Sequence, residues 1–438
     1  MTRTAALSAI AVAGAASLAS PALAAAPALL AHQAPLVIDN AATAWILTST
    51  ALVLLMTLPG LALFYGGMVR KKNIISVIAQ SAAAFAIVSV LWFLVGYSLS
   101  FGKGPEAVNG LIGGVQAAFL NGVTMETAHS LLPGLPELLF VSFQMTFAII
   151  TPALIAGAFA ERMKFSASLL FFALWHLIVY APICHQVWGG GYLGSLGVLD
   201  FAGGAVVHVN AGVAGLVCAL VLGPRHGFGR DNMAPANLVY SAIGTGLLLV
   251  GWIGFNAGSA GAADALAATA AFNTILAAGA AALGWMTVEW FDRKRPTLLG
   301  LLSGVVGGLV AITPAAGFVD PKGAFFIGLI AGPACYAGAV WLKHALKYDD
   351  SLDAFGVHGI GGIVGALLTG VFATTSVNAL SEGATVWKQA LGLGGAIVWS
   401  AVGTFVVLMI CKFTTGLRVT RDEEVEGLDY TQHGEAIH

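Results

Sequence analysis

Long apolar tracts separated by short polar segments set the pattern of this sequence. Each tract has about twenty residues, and a helix that rises about 1.5 Å per residue over that length crosses the roughly 30 Å hydrocarbon core of a bilayer. The pattern predicts an all-α polytopic membrane protein with eleven transmembrane helices, at residues 44–65, 74–100, 138–160, 165–187, 201–222, 238–257, 265–290, 298–318, 324–342, 355–373 and 390–413.

Basic residues alternate between the loops that join these tracts. They concentrate at residues 70–72, 162–164, 225–230, 293–295 and 343–347, whereas the opposite loops hold only Lys103, Lys322 and Lys388. Because cytoplasmic loops are enriched in Lys and Arg, the amino terminus is predicted outside the cytoplasm and the carboxyl terminus inside. The one long loop, residues 103–137, then lies on the outer side.

Composition supports the membrane assignment. The chain has 438 residues, of which 58% are hydrophobic and only 9% charged, and its mean hydropathy is +0.88. Soluble domains carry about 25% charged residues. The net charge of −2, with no basic patch, gives no indication of nucleic-acid binding. The 56 glycines suit closely packed transmembrane helices.

The amino-terminal segment has the features of a secretory signal peptide. Arg3 supplies a basic start, residues 5–18 are apolar, and Ala22 and Ala24 form a small-x-small cleavage site. We predict a signal peptide over residues 1–24, and the alternative is an uncleaved first span. The mature transmembrane domain is assigned to residues 40–413.

A duplicated motif indicates an internal repeat. His208 begins an H-x-x-x-G-x-x-G pattern that returns at His358, 150 positions later, and acids lie eight residues before each, at Asp200 and Asp350. His208 falls in the fifth predicted span and His358 in the tenth. Five spans return the chain to the opposite side, so we predict inverted five-plus-five halves, at about 44–222 and 238–373, plus one helix at 390–413.

The two histidines are the leading functional candidates. An ionisable residue inside a membrane span is costly and marks a functional site by default. Burial in an apolar tunnel favours the neutral imidazole, which both donates and accepts hydrogen bonds. Such a pair suits a small neutral polar solute or a proton relay. It is poorly suited to a hard metal cation, which is bound by several oxygen ligands. The alternative for each histidine is a structural interhelical hydrogen bond.

Aromatic residues cluster in the same spans. The cluster comprises Phe143, Phe147, Trp188, Trp252 and Phe255. Each is explained singly by packing or by the interfacial belt, but together they offer cation–π attraction to a small cation. Asp200 suits a helix cap for the span that starts at Phe201, or a source of negative potential in an outer vestibule. We favour the structural role. The four cysteines show no metal spacing and suit packing positions.

At this point the chain resembles the ammonium transporter family, which includes bacterial ammonium channels related to yeast methylammonium permeases and Rhesus proteins. The resemblance covers essentially the whole mature chain. It rests on LFYGG (63–67), AER (160–162), WGGG (188–191), LDFAGG (199–204), HVNA (208–211), GFNAGS (254–259) and FGVHG (355–359). It implies a homotrimer with one pore in each subunit, in the inner membrane of a bacterium, and a transporter rather than an enzyme.

The resemblance also implies roles for individual residues. Phe147, Trp188 and Ser259 correspond to an external ammonium recruitment site, which Asp200 supports. Phe147 and Phe255 correspond to stacked rings that close the pore, with the twin histidines His208 and His358 below them. We therefore expect ammonium to be recruited outside and deprotonated, with ammonia conducted through an apolar pore and methylammonium serving as an analogue. No cofactor or metal is predicted.

Two other classes of function remain open on the sequence. One is a membrane redox protein in which the histidines bind haem. The other is an ammonium sensor in which the pore serves as a receptor domain.

The acidic tail, residues 414–438, is predicted to be cytoplasmic and regulatory. Its composition is typical of a disordered terminus. Apolar residues between its charges also suit docking on basic loops such as residues 70–72. Bacterial ammonium channels with similar tails are gated by a PII-class signal protein, and the resemblance implies such a partner here.

Overall fold

The structure is a computed structural model, and it describes residues 37–437. The predicted signal peptide, residues 1–24, lies outside the described residues. The described chain is helical, with eleven membrane helices that we number α1 to α11: Asn40–Met68, Lys71–Phe101, Glu137–Phe159, Phe165–Ser195, Gly204–Leu222, Leu238–Gly258, Ala265–Arg293, Leu298–Ile312, Pro321–Leu346, Phe355–Phe372 and Val386–Thr414. Two short helices follow, α12 (Arg421–Glu426) and α13 (Leu428–His433).

Each predicted tract coincides with one helix, so the eleven-span architecture is confirmed. In the described chain, ten of the helices are long and apolar enough to span a membrane, and α8 is a shorter apolar helix. The tract predicted at 298–318 is too long, because α8 ends at Ile312. Pro314, which has no N–H to continue a helix, follows two residues later. Its carbonyl accepts a hydrogen bond from the Phe201 N–H (3.1 Å), which ties this segment to the residues just before α5.

Polar side chains set the first residue of many helices. A side-chain oxygen of the residue before the helix accepts a backbone N–H from the first turn, which would otherwise lack a partner. These caps are Asp39, Asn237, Asp264, Thr297, Asp320 and Thr385, before α1, α6, α7, α8, α9 and α11. Short polar residues at the tract boundaries therefore explain where these helices begin.

The helices α3 and α5 form the centre of the bundle. In the most apolar 18-residue stretch of each of these two helices, 78% of the residues are buried, against 33% in the same length of α11. A helix with so little buried surface lies on the outside of the single-chain bundle. The third and fifth helices, α3 and α5, are therefore the most deeply buried helices of the first half. His208 lies on α5.

The two halves meet through reciprocal contacts between α5 and α10. A side chain at Gly212 would collide with the backbone of Gly359, and one at Gly362 would collide with Val209. The two contacts are equivalent, because Gly362 and Gly359 lie 150 positions after Gly212 and Val209, the same separation as that of the two histidines. Equivalent contacts of this kind are those of a two-fold axis. They support the predicted inverted repeat and explain why glycine is required at both positions.

The basic loops come together on one face of the molecule, which the Lys and Arg content marks as cytoplasmic. Arg225 pairs with Glu161 (2.9 Å) and with Asp349 (2.8 Å), and Arg70 also pairs with Glu161 (3.0 Å). Burial alone raises the pKa of both acids, but the neighbouring arginines outweigh it and hold the pKa of Glu161 and of Asp349 below its usual value. This network joins loops of both halves.

The acidic tail packs against the same face. The Lys164 N–H donates to the Leu417 carbonyl (2.9 Å), and Lys72 donates to the carbonyls of Glu424 and Val425. The tail is therefore ordered on the basic loops, including the predicted contact with residues 70–72, and the alternative of a disordered terminus does not describe it. Its regulatory role stays a prediction.

Candidate functional site

An outer cavity of about 370 Å³ opens at the extracellular end of the helix bundle. All four residues that the sequence analysis assigned to external recruitment line it: Phe147, Trp188, Asp200 and Ser259. The sequence analysis did not single out Gln144, Phe318 and Asn378 as further lining residues. They come from three distant segments, and only the fold brings them to the cavity.

Trp188 is held in the cavity wall by a hydrogen bond. Its indole N–H donates to the Asp200 carbonyl (2.8 Å), and its ring meets Phe147 edge-on with centroids 5.9 Å apart. Within α4, the WGGG segment interrupts the regular helix, which stops at Val187 and resumes at Tyr192, and backbone crowds the sites of Gly189 and Gly191. The indole face is thereby fixed beside the path to the bundle centre.

The carboxylate of Asp200 is a cap rather than an open ligand. Its two oxygens accept the N–H groups of four successive residues, 203 to 206, at 2.5–3.0 Å. The helix starts at Gly204, not at Phe201 as predicted, because the carboxylate reaches the N–H groups three to six residues ahead. Burial raises the pKa of Asp200 even though these donors favour the charged form.

Phe147 and Phe255 form a closed pair beneath the cavity. Their rings stack with centroids 4.2 Å apart and an interplanar angle of 27°, and both side chains are buried. Phe147 lines the outer cavity, whereas Phe255 lines a second, inner cavity. The stacked rings therefore separate the two spaces, at the position that the sequence analysis assigned to a gate. Ser259 lies one turn further out and donates to the Phe255 carbonyl (2.8 Å).

The inner cavity contains His208 and His358. Their Nδ1 atoms lie 3.3 Å apart, and their rings are nearly parallel with centroids 5.4 Å apart. Each histidine lies in a π-helical turn, Gly204–Val209 or Phe355–Gly359, and such turns are frequent at functional sites. The structure thus brings the duplicated motif together at one point, as the inverted repeat predicts.

Apolar side chains form the rest of the inner cavity, whose water-accessible volume is only about 10 Å³. This is close to the least space that one water-sized molecule needs. The lining comprises Met56, Leu61, Phe64, Ile150, Leu154, Leu248, Trp252, Phe255 and Val306 besides the two histidines. None of these described side chains offers an oxygen ligand to a desolvated cation, whereas a neutral molecule with one donor and one acceptor can bind the imidazoles.

Trp252 supports His208 from one side. The rings stack at 5.2 Å, and the Trp252 indole N–H donates to the Thr313 hydroxyl at 2.9 Å. Trp252 was predicted as one of the clustered aromatics, but no contact with the histidines was expected of it. A tryptophan in an apolar span carries no signal of which side chain it will stack on.

The geometry of the imidazoles argues against a haem held between them. Axial ligation would place iron and a porphyrin between the two coordinating rings. The facing Nδ1 atoms are in hydrogen-bonding contact at 3.3 Å, so nothing fits between them. The redox alternative therefore finds no support in the arrangement of this pair.

The fold and the site define a multi-pass membrane protein in which an aromatic outer cavity, a closed pair of phenylalanine rings and a buried histidine pair follow one another toward the centre of the bundle. The sequence model of the Ammonium Transporter Family matches residues 44–437, and the chain belongs to this family.

Individual relatives agree over nearly their whole lengths. The ammonium transporter of Bacillus subtilis (strain 168) is 49% identical over 407 residues, covering 90% of this chain and 97% of the relative. The crystal structure of Saccharomyces cerevisiae Mep2 superposes with a TM-score of 0.80 at 37% identity, covering 88% of this chain and 91% of Mep2. A structure titled Sensor Amt Protein superposes with a TM-score of 0.82 at 31% identity, covering 90% and 98%.

Proposed function

We propose that this protein transports ammonium across the membrane by conducting ammonia past His208 and His358. The observation that carries the proposal is the pair itself: two buried imidazoles in hydrogen-bonding contact, in an apolar cavity behind a closed pair of rings. Family membership supplies the substrate class.

Recruitment takes place in the outer cavity. The edge-on pair of Trp188 and Phe147 offers aromatic faces to a small cation, and each such face contributes about 0.5–2 kcal/mol. The Ser259 hydroxyl, which lines the same cavity, supplies an acceptor. Asp200 supports the site by fixing the carbonyl that holds Trp188 and by its negative potential.

Deprotonation follows at the ring pair. Stripping the water from an intact ammonium ion costs tens of kcal/mol in an apolar medium, whereas ammonia needs only a few hydrogen bonds. Ammonium therefore leaves its proton on the outer side of Phe147 and Phe255, and ammonia passes when the rings part. If the proton returns to the outer solution, transport is electrically neutral. If the proton crosses the membrane by a separate route, transport is electrogenic.

Assembly, location and regulation complete the proposal. We place the protein in the inner membrane of a bacterium as a homotrimer with one pore per subunit, after removal of the signal peptide at residues 1–24. A PII-class signal protein binds the cytoplasmic face, where the tail is docked. Native mass spectrometry of the detergent-solubilised chain tests the trimer and the mature amino terminus in one measurement.

The function is tested by uptake of radiolabelled methylammonium into proteoliposomes, with current recorded in parallel. Saturable uptake that ammonium inhibits supports transport, and the current decides whether the proton follows. The competing function is an ammonium sensor, favoured by the likeness to a structure titled Sensor Amt Protein. Ammonium binding without uptake would support the sensor and overturn the proposal.

A further inference from the structure

A separate cavity of about 410 Å³ lies on the cytoplasmic face, between the loop after α5 and the tail. It shares no lining residue with the two pore cavities. Among residues 37–437, four arginines, one histidine and a single acid, Glu424, line it. The full set is Pro224, Arg225, His226, Gly227, Phe228, Arg230, Arg418, Arg421 and Glu424.

The charges in this wall do not cancel. Arg225 is neutralised by Glu161 and Asp349 beneath the cavity. Glu424 is neutralised by Arg418 (2.7 Å), and its other oxygen accepts the His226 N–H (2.6 Å). The acid in the wall is thus fully engaged.

Two guanidinium groups remain without an acid. Within residues 37–437, neither Arg230 nor Arg421 forms an ion pair. In the described chain, the Arg421 guanidinium has one hydrogen-bonding partner, the His226 Nε2 atom at 3.4 Å, which requires that nitrogen to be an acceptor. Asp231 does not line the cavity and forms no ion pair in residues 37–437, although its carboxylate packs against Gly227, which lines the cavity.

We infer that this cavity binds a phosphate group. A guanidinium group donates two parallel hydrogen bonds, as a fork, to the oxygens of a phosphate. The negative charge of the phosphate would also neutralise the two arginines, which have no acidic partner. The ligand has two possible sources, a free phosphate compound in the cytoplasm or the headgroup of an anionic lipid. Basic pockets on the cytoplasmic side of membrane helices suit such headgroups.

Binding there would join two parts of the chain. Arg230 lies on the loop after α5, whereas Arg421 begins α12 in the tail. A phosphate bridging them adds a cross-link between loop and tail that the unliganded chain lacks. Ligand binding therefore holds the tail on the cytoplasmic face, and it slows amide exchange in α12.

The test measures ligand binding to the purified full chain and does not depend on transport. In the first arm, the melting temperature in neutral detergent is followed against inorganic phosphate, with chloride at matched ionic strength. In the second arm, nanodiscs of phosphatidylcholine are compared with nanodiscs that also contain phosphatidylglycerol. The variants are Arg230→Gln with Arg421→Gln, and the matched control is Arg295→Gln, an exposed arginine of another cytoplasmic loop.

A saturable rise in melting temperature with phosphate, or with phosphatidylglycerol, is expected in the wild type and in Arg295→Gln. The double variant should bind on the order of tenfold more weakly per guanidinium removed. The arm that responds identifies the source. Arg230→Lys with Arg421→Lys, which keeps the charge but not the fork, should lie between the two. Equal responses in wild type, double variant and control, or no response in either arm, would overturn the inference.

Discussion

His208 and His358 meet through their Nδ1 atoms, 3.3 Å apart, although 150 residues separate them in the chain. One Nδ1 must carry a proton and the other must accept it, because two lone pairs or two N–H groups would repel. In the neutral pair, the donor therefore presents a bare Nε2 and the acceptor presents an Nε2–H. The pair offers one acceptor and one donor to a solute.

This asymmetry suits ammonia, which donates and accepts hydrogen bonds. The Nε2 atom of His208 is buried and has no partner in the described chain, so it is available to a passing molecule. A potassium ion finds no ligand sphere of oxygens in the same cavity. Selectivity in this account follows from the lining of the pore rather than from its width.

The outer aromatic site should set affinity. Trp188→Leu removes a ring face, so it should raise the half-saturating ammonium concentration about 2- to 30-fold, which corresponds to about 0.5–2 kcal/mol. Ser259→Ala should have a smaller effect of the same sign. Saturation of transport in proteoliposomes measures both. Phe255 lies deeper, and Phe255→Ala should change the maximal rate or the ion leak more than the affinity.

Trp387→Leu is the matched control, because this tryptophan is on the surface, 69% exposed, and lines neither pore cavity. Its saturation curve should equal that of the wild type. Unchanged curves for both Trp188→Leu and Ser259→Ala would count against an external cation site.

Asp200 should act mainly through structure. Asp200→Ala leaves four buried N–H groups without their acceptor, and each such loss costs about 1–3 kcal/mol. The melting temperature of Asp200→Ala in detergent should fall strongly. The melting temperature of Asp200→Asn, which keeps an acceptor oxygen, should fall less. An Asp200→Ala protein that melts like the wild type but no longer binds ammonium would assign Asp200 to the ligand instead.

The cytoplasmic network predicts a pH dependence of stability. The pKa of Asp349 in the folded chain lies below its ordinary value of 3.8, because Arg225 outweighs the effect of burial. The stabilisation is therefore complete above pH 3.8 and is lost as the pH falls through the lower, folded-state value. Asp349→Asn should melt below the wild type at pH 6, and this difference should shrink as the pH approaches 3.

Melting temperatures across this range, with Asp422→Asn as an exposed control, measure the difference. A gap between wild type and Asp349→Asn that is constant with pH would show that the ion pair does not carry the stabilisation.

The tail should couple to the pore. Gly427 has φ 118°, and a side chain there would collide with Lys72, so Gly427→Asp should displace α13 and lower transport. Deleting the residues after Gly416 should also lower it. Gly434→Asp is the matched control, since that glycine lies in the same tail with no atom within 4 Å of an added Cβ.

Rates in proteoliposomes report the effect, and a pull-down with the immobilised chain tests whether a PII-class protein is recovered. Full activity of both the deletion and Gly427→Asp, with no PII-class protein bound, would leave the tail without a regulatory role.

The span pattern and the duplicated motif were sufficient to predict most of the fold. Apolar tract length and loop charge predict the helices and their orientation, and the H-x-x-x-G-x-x-G pattern predicts that His208 and His358 occupy equivalent places. These signals are local or repeated, so they are legible in one chain. The stacking of Phe147 on Phe255 was expected only through the family resemblance.

Contacts between distant segments could not be predicted. The Arg225 network joins acids at positions 161 and 349, and no spacing rule links the three. The Phe201 N–H donates to the Pro314 carbonyl, a contact between the two halves that no local pattern indicates. Trp252 is part of the site because of its orientation toward His208, which composition does not reveal.

The proposed function depends above all on the conduction of ammonia past the histidine pair. The most direct measurement compares His208→Ala and His358→Ala with the wild type in proteoliposomes, recording methylammonium uptake and current in ammonium or potassium gradients. His344→Ala, at an exposed histidine outside the cavity, is the control. We predict that each pore variant forms the same oligomer as the wild type but loses most of its uptake or admits potassium. Normal uptake with potassium still excluded, in both variants, would contradict the account.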